Sequence, residues 1–120
     1  MIWKISMKQN EIWLINLDPT IGAEIKKTRP AIIVNHDALG KLPLKIIVPI
    51  TDWKDIYSVA PWMVQILPDN NNGLNKESSA DCFQIRSVSQ QRFIKKIGIV
   101  NNDIADKLKT ALSKVLSIYP

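Results

Sequence analysis

Cysteine and histidine, which build most thiol and metal sites, each occur once in this chain of 120 residues. The single cysteine, Cys82, excludes an intramolecular disulfide and a cysteine-rich zinc site. The single histidine, His36, excludes a metal-binding histidine pair, and its place after a predicted strand favours a turn residue over a catalytic base. Only four glycines are present, which leaves little room for a phosphate-binding glycine-rich loop. We therefore expect neither a metal site nor a bound cofactor.

Long apolar runs are absent as well. No run approaches the ~18 residues that a transmembrane helix requires, and residues 1–7 lack the apolar stretch of a signal peptide. We therefore expect a cytoplasmic protein that does not act on membranes. An apolar fraction of 46% argues against intrinsic disorder, and the length fits one domain of ordinary size. The interpretation is a single domain over residues 1–120, in which residues 1–8 are a candidate N-terminal extension.

The chain is basic, but few of its basic residues are arginines. Sixteen basic side chains against eleven acidic ones give a formal charge of +5, but only Arg29, Arg86 and Arg92 are arginines. Basic proteins favour polyanions such as nucleic acids, although a charge of this size also occurs in proteins that need it only for solubility. The positions of the few arginines are therefore more informative than the net charge.

What the sequence does contain is a series of short apolar, β-prone runs followed by one helical pattern. Strands are predicted over residues 11–17, 31–34, 44–51, 62–67, 80–85 and 94–100. Residues 20–29 are polar and aperiodic and predict a loop, and residues 89–92 predict one helical turn.

Apolar residues recur at helical spacing over residues 103–118, with Asn101 or Asn102 as the N-cap. Most connections between the predicted strands are too short for parallel crossovers. The fold class predicted is α+β and mainly β, a small antiparallel barrel packed by a C-terminal helix.

Two polar residues lie where predicted strands begin or end. Arg29 joins the predicted loop to a rigid strand, and Pro30 holds it in an extended conformation, so its guanidinium fork is suited to phosphate oxygens. Thr51 lies at the end of another strand. From the residues alone, an ordinary structural role for both remains an alternative. Cys82 lies in an apolar stretch and is predicted to be a buried, inert thiol.

Five segments together resemble the MazF/PemK family of toxin endoribonucleases, in the family's order and approximate spacing. They are residues 10–13 (NEIW), 18–31 (DPTIGAEIKKTRPA), 48–51 (VPIT), 84–88 (QIRSV) and 95–98 (KKIG). The resemblance extends from about residue 9 to residue 118, nearly the whole chain.

This resemblance implies an SH3-like barrel that acts as a homodimer, cuts single-stranded RNA without a metal and is inhibited by a cognate antitoxin protein. By position, Arg29 and Thr51 match the family's catalytic residues, and Glu24 matches an acidic loop residue that is either a base or a positioner of Arg29. Gln84 and Arg86 match a segment that lines the RNA groove. The further RNA-binding candidates are Gly22, Lys26, Lys27, Trp53 and Ser78.

The resemblance also implies the chemistry, in which the ribose 2′-hydroxyl attacks the adjacent phosphorus and leaves a 2′,3′-cyclic phosphate and a 5′-hydroxyl. Arg29 would neutralise the charge that develops on the phosphate oxygens. Lysines 95 and 96 are further candidates for a phosphate groove. For Trp53 and Trp62, stacking on bases and packing in the core or in a dimer interface remain alternatives.

Two positions depart from the family pattern. Ala23 stands where a polar loop residue is common, and Phe83 precedes Gln84 where an acidic residue is common. Strand alternation would place Asp81 on the same face as Phe83. Two other functions remain alternatives: a non-catalytic toxin of the same fold that poisons DNA gyrase, and a degenerate member that only binds RNA or antitoxin.

Overall fold

A computed structural model of the chain describes residues 7–39 and 42–118; residues 1–6 of the candidate extension lie outside these ranges. The described residues form seven strands and one α-helix. The elements are β1 (Glu11–Asn16), β2 (Thr28–Ile33), β3 (Leu44–Asp52), β4 (Met63–Ile66), β5 (Ser78–Asp81), β6 (Arg86–Ser89), β7 (Phe93–Ile99) and α1 (Asn102–Leu116). Within these ranges, no helix has both the length and the apolar character needed to cross a membrane.

All strand pairs are antiparallel, in the order β4-β5-β3-β2-β1-β7, and β6 also pairs with β3. The nine residues of β3 are long enough to serve two partners along one edge. Its first half pairs with β6 and its last three residues pair with β5, while β2 lies along its other edge. The predicted class, mainly β and antiparallel with a C-terminal helix, is confirmed.

Two apolar clusters fill the two sides of the central strands, as strand alternation requires. Along β2, Ile32 faces the cluster that includes Leu108 of α1, whereas Ala31 and Ile33 face the cluster around Trp13. The helix begins as predicted, because the side chain of Asn101 accepts a hydrogen bond of 2.8 Å from the N–H of Ile104. The rigid centre of the sheet therefore fixes the ends of β2 and β3, where the candidate residues lie.

The predicted strand over residues 80–85 is wrong in its second half. β5 ends at Asp81, and Cys82–Gln84 form a 3₁₀ turn before β6 begins. The cause is the carboxylate of Asp81, which accepts a hydrogen bond of 3.1 Å from the N–H of Phe83 and caps the turn. Strand alternation therefore does not relate Asp81 to Phe83, and the side chain of Asp81 contacts Gln84 instead.

Most other predicted boundaries shift by one or two residues, but β2 begins three residues earlier than predicted and the short strand β6 was not predicted. Thr28 and Arg29 belong to β2 rather than to the loop before it. The predicted turn before β7 is the 3₁₀ segment Gln90–Arg92, capped by the hydroxyl of Ser89. Two further 3₁₀ segments, Asp37–Leu39 and Asp55–Val59, were not predicted.

Candidate functional site

Arg29 and Thr51 meet at the ends of neighbouring strands. The β2–β3 pairs run from Ile33–Ile47 to Ala31–Pro49, and Arg29 and Thr51 each lie two residues beyond that end of the paired region. Both residues line one cavity of about 470 Å³, called here the first cavity, and both are half-buried. The sequence-predicted catalytic pair is thus brought together by the sheet itself.

The first cavity also contains charged residues that sequence reasoning missed. The Nζ of Lys76 lies 3.1 Å from each carboxylate oxygen of Asp52, the residue after Thr51. Ser78, a predicted RNA-binding residue, is buried in the same wall, and its hydroxyl donates to the carbonyl of Lys76 at 2.9 Å. Asp52 lies opposite Ser78 in the β3–β5 register, so only strand pairing brings Asp52 near Lys76. No local sequence pattern predicts that contact.

The two adjacent lysines of β7, Lys95 and Lys96, have different surroundings. Lys95 lines the first cavity. Lys96 instead forms an ion pair of 3.0 Å with Glu11, which is buried and also accepts a hydrogen bond of 2.9 Å from the indole N–H of Trp13. Of this pair, therefore, Lys95 is the one that shares a cavity with Arg29.

Glu24, Gln84 and Arg86 lie in a different place from Arg29 and Thr51. They line a second cavity of about 470 Å³ together with Ala23, Phe83 and Ile85. The carboxylate of Glu24 accepts a hydrogen bond of 2.7 Å from the N–H of Ile21. The structure therefore does not bring Glu24 into the first cavity, and its observed contact is within its own loop.

The loop between β1 and β2, residues 17–27, is fastened at its base and at its tip. At its base, the carboxylate of Asp18 accepts from the N–H of Lys27 at 3.1 Å, and Arg29 Nε donates to the carbonyl of Lys26 at 3.3 Å. At its tip, the side-chain oxygen of Gln84 accepts from the N–H of Ile25 at 2.6 Å. The loop is thus ordered by residues from both predicted site segments.

Other contacts support the same loop. Gln84 Nε2 donates to the carbonyl of Ala23 and to the carboxylate of Asp81, each at 3.3 Å. Arg86 Nη1 donates to the carbonyl of Leu17 at 3.3 Å. Arg92 donates to the carbonyls of Asn16 and Asp18.

Of the remaining predicted RNA-binding residues, Gly22, Lys26 and Lys27 lie in this loop, and Trp53 follows β3. Gly22 is exposed and adopts a left-handed φ of 59°, which favours glycine at that position. Lys26 and Lys27 are exposed and line neither cavity. Trp53 is half-buried and packs edge-on against Tyr57, with 5.8 Å between ring centroids. The contact observed for Trp53 is therefore aromatic packing beside the first cavity.

Cys82 and His36 have the roles that the sequence predicts. Burial, with the nearby Asp81 carboxylate as a second cause, raises the pKa of the Cys82 thiol to about 12, so the thiol is inert at neutral pH. Burial also raises the pKa of Asp81, against the opposing hydrogen bonds from Phe83 and Gln84. His36 is an exposed turn residue whose Nδ1 accepts from the N–H of Ala38 at 3.0 Å.

The chain is similar to known proteins over almost its whole length. The family model described as PemK-like, MazF-like toxin of type II toxin-antitoxin system matches residues 8–116. The endoribonuclease MazF9 of Mycobacterium tuberculosis is 31% identical over 119 residues, which cover 94% of this chain and 98% of that protein.

Two solved structures are similar in fold. The crystal structure of MazF from Deinococcus radiodurans has a TM-score of 0.77 at 20% identity, covering 92% of this chain and 96% of that one. An endoribonuclease from a mycobacterial species, solved in complex with its cognate antitoxin, has a TM-score of 0.73 at 16% identity, covering 94% and 98%. These similarities confirm the fold that the sequence resemblance implies.

Proposed function

Because this chain belongs to the PemK-like, MazF-like family of toxins of type II toxin–antitoxin systems, we propose that it is an endoribonuclease. Its substrate is single-stranded RNA, chiefly messenger RNA, and its inhibitor is a cognate antitoxin protein. It acts in the cytoplasm as a homodimer of single-domain chains. The observation that carries the proposal is that Arg29 and Thr51 line one cavity at the ends of β2 and β3.

The side chains of Arg29 and Thr51 can both stabilise a phosphodiester as it is cleaved. The 2′-hydroxyl of the ribose loses its proton as its oxygen bonds to the adjacent phosphorus, and the 5′-oxygen leaves and takes up a proton. The guanidinium of Arg29 neutralises the charge that develops on the non-bridging oxygens, and the hydroxyl of Thr51 donates a hydrogen bond to the same phosphate. The products are a 2′,3′-cyclic phosphate and a 5′-hydroxyl, and the charge-neutralising role needs no metal ion.

Of the two roles open to Glu24, positioning is the better supported. Its carboxylate accepts from the N–H of Ile21, and it lies in the second cavity rather than beside Thr51. The loop that Glu24 orders presents the carbonyl of Lys26 to Arg29 Nε. Glu24 therefore acts on the reaction through the orientation of Arg29.

The bound RNA passes over the loop from one cavity to the other. Lys95 faces the backbone phosphates at the first cavity, where the buried Ser78 supports the wall. The surface that contacts the rest of the strand comprises Gly22, Lys26, Lys27, Trp53, Gln84 and Arg86. Lysines at such a surface add affinity without sequence information, because each neutralises a phosphate.

The test is cleavage of a long single-stranded RNA by the purified protein in EDTA, with the new 5′ ends mapped. We expect discrete cuts that leave 5′-hydroxyl ends, and none with Arg29→Ala or Thr51→Ala. Lys109→Ala, which removes an exposed charge on α1, is the matched control and retains cleavage. Intact RNA at stoichiometric wild-type protein would overturn the proposal, as would cleavage that does not depend on Arg29 and Thr51.

A further inference from the structure

An exposed aromatic ring stands at the wall of the second cavity. Phe83 is 69% exposed although it lies in a well-formed 3₁₀ turn. Trp62, itself 38% exposed, packs edge-on against it, with 6.1 Å between ring centroids and 67° between ring planes. Two adjacent aromatic rings left open to solvent on a folded surface indicate a binding site.

The backbone holds these rings in place. The N–H of Phe83 donates to the carboxylate of Asp81, which is only 6% exposed, at 3.1 Å. The N–H of Cys82 donates to the carbonyl of Trp62 at 2.9 Å and ties the turn to the residue before β4. Because the turn is already ordered, a ligand that stacks on Phe83 has little conformational entropy to remove.

The groups around Phe83 are those that recognise a flat heterocycle. Glu24 and Arg86 line the same cavity as Phe83, so a carboxylate and a guanidinium share that cavity with the ring. Arg86 uses one N–H on the carbonyl of Leu17, and a guanidinium carries five such donors. Glu24 uses Oε1 on the N–H of Ile21, and a carboxylate has a second oxygen. Hydrogen-bonding groups beside an aromatic face suit an unpaired base, which is stacked and read along its edge.

We propose that Phe83, supported by Trp62, stacks one unpaired base of the RNA in the second cavity and so determines part of the cut sequence. Arg86 and Glu24 contact the edge of that base. The inference rests on the endoribonuclease function proposed above and names the residue that selects among its substrates. The charge of +5 brings the RNA to this surface, and the aromatic face holds one base of it.

The test distinguishes stacking of a base on the ring of Phe83 from a contact that needs only an apolar side chain. Phe83→Leu keeps an apolar side chain but loses the π-face, whereas Phe83→Trp keeps the π-face. We expect about a tenfold loss of kcat/KM on a mapped RNA site for Phe83→Ala and Phe83→Leu, the effect of losing one base–aromatic stack. Phe83→Trp retains cleavage, and the base preference at one position relaxes only in the Ala and Leu variants. Leu116→Ala, an exposed apolar residue on α1, is the matched control.

Binding is measured separately with 2′-O-methyl RNA of mixed sequence, which lacks the attacking hydroxyl. If the wild type does not cleave but Phe83→Ala and Phe83→Leu weaken this binding, the proposed function fails and the stacking role stands. Equal behaviour of Phe83→Leu and Phe83→Trp would overturn the stacking role. Light scattering supplies a further check. If Phe83→Ala has a lower oligomeric state than the wild type but binds RNA equally well, the ring packs against a second protein chain, and the stacking role is overturned.

Discussion

The side-chain oxygen of Gln84 accepts a hydrogen bond of 2.6 Å from the backbone N–H of Ile25, which lies 59 residues earlier in the chain. The amide nitrogen of the same side chain donates to the carbonyl of Ala23 and to the carboxylate of Asp81. One glutamine therefore fastens the tip of the β1–β2 loop to the 3₁₀ turn that carries Phe83.

Replacing Gln84 with alanine will loosen this loop. A hydrogen bond of this kind contributes about 1 kcal/mol, so we expect the amide of Ile25 to exchange with solvent roughly five- to tenfold faster. Hydrogen exchange followed by mass spectrometry measures the change. Gln91→Ala, an exposed glutamine next to β7, is the control. Equal exchange at Ile25 in both variants would mean that Gln84 does not hold the loop.

Replacing Arg29 with lysine will abolish most cleavage although the charge is kept. The guanidinium meets two phosphate oxygens with a planar fork, and an ammonium cannot reproduce that geometry. Loss of one such donor typically lowers kcat by about 100-fold. Initial rates on a mapped RNA site measure the effect. Lys109→Arg, the reverse exchange at an exposed position of α1, is the matched control and retains cleavage. Near-normal cleavage by Arg29→Lys would refute the assigned role.

Replacing Asp52 with asparagine will tighten RNA binding. The substitution removes a negative charge from the first cavity and releases Lys76 to meet a phosphate. The gain should be severalfold in Kd at low salt and should shrink as salt rises, because the added phosphate contact depends on counterion release. Fluorescence anisotropy with 2′-O-methyl RNA at two salt concentrations measures it.

The thermal midpoint of Asp52→Asn should not change. Both partners of the ion pair are mostly exposed, and exposed pairs add little stability. Asp55→Asn removes the same charge from the neighbouring 3₁₀ segment, outside the first cavity, and serves as the matched control. An equal gain in both variants would show that only the net charge matters.

The sequence predicted the parts of the fold that depend on local pattern. β-branched runs marked the buried strands, and the spacing of apolar residues marked α1 with its cap at Asn101. The break after Asp81 was missed because it depends on one carboxylate capping the N–H of Phe83, and the residues 80–85 are apolar enough to resemble a continuous strand. Side-chain capping competes with strand pairing, and composition does not reveal which prevails.

The candidate site was predicted from motif positions and only partly from physical reasoning. Arg29 and Thr51 meet because β2 and β3 pair in the register observed, and the sequence gives no direct measure of register. The contact of Asp52 with Lys76 was missed for the same reason, since it depends on the pairing of β3 with β5. That Glu24 and Arg29 line different cavities became visible only in three dimensions.

The buried thiol of Cys82 makes stability depend on alkaline pH. Its pKa rises from 9.0 to about 12 on folding, so above pH 9 the unfolded chain loses a proton that the folded chain keeps. Because the unfolded chain then binds fewer protons than the folded chain, the free energy of unfolding falls as pH rises. Denaturant melts at pH 8 and pH 10 should therefore show a larger loss for the wild type than for Cys82→Ala.

All other titratable groups are the same in wild type and Cys82→Ala, so their effects cancel in the difference between the two. Iodoacetamide gives an independent measurement, because only a thiolate reacts and the folded thiol at pH 8 is both buried and protonated. Labelling of Cys82 should appear only in denaturant, at the midpoint of the unfolding curve. Rapid labelling of the native protein, or parallel pH profiles for wild type and Cys82→Ala, would contradict burial as the cause of the raised pKa.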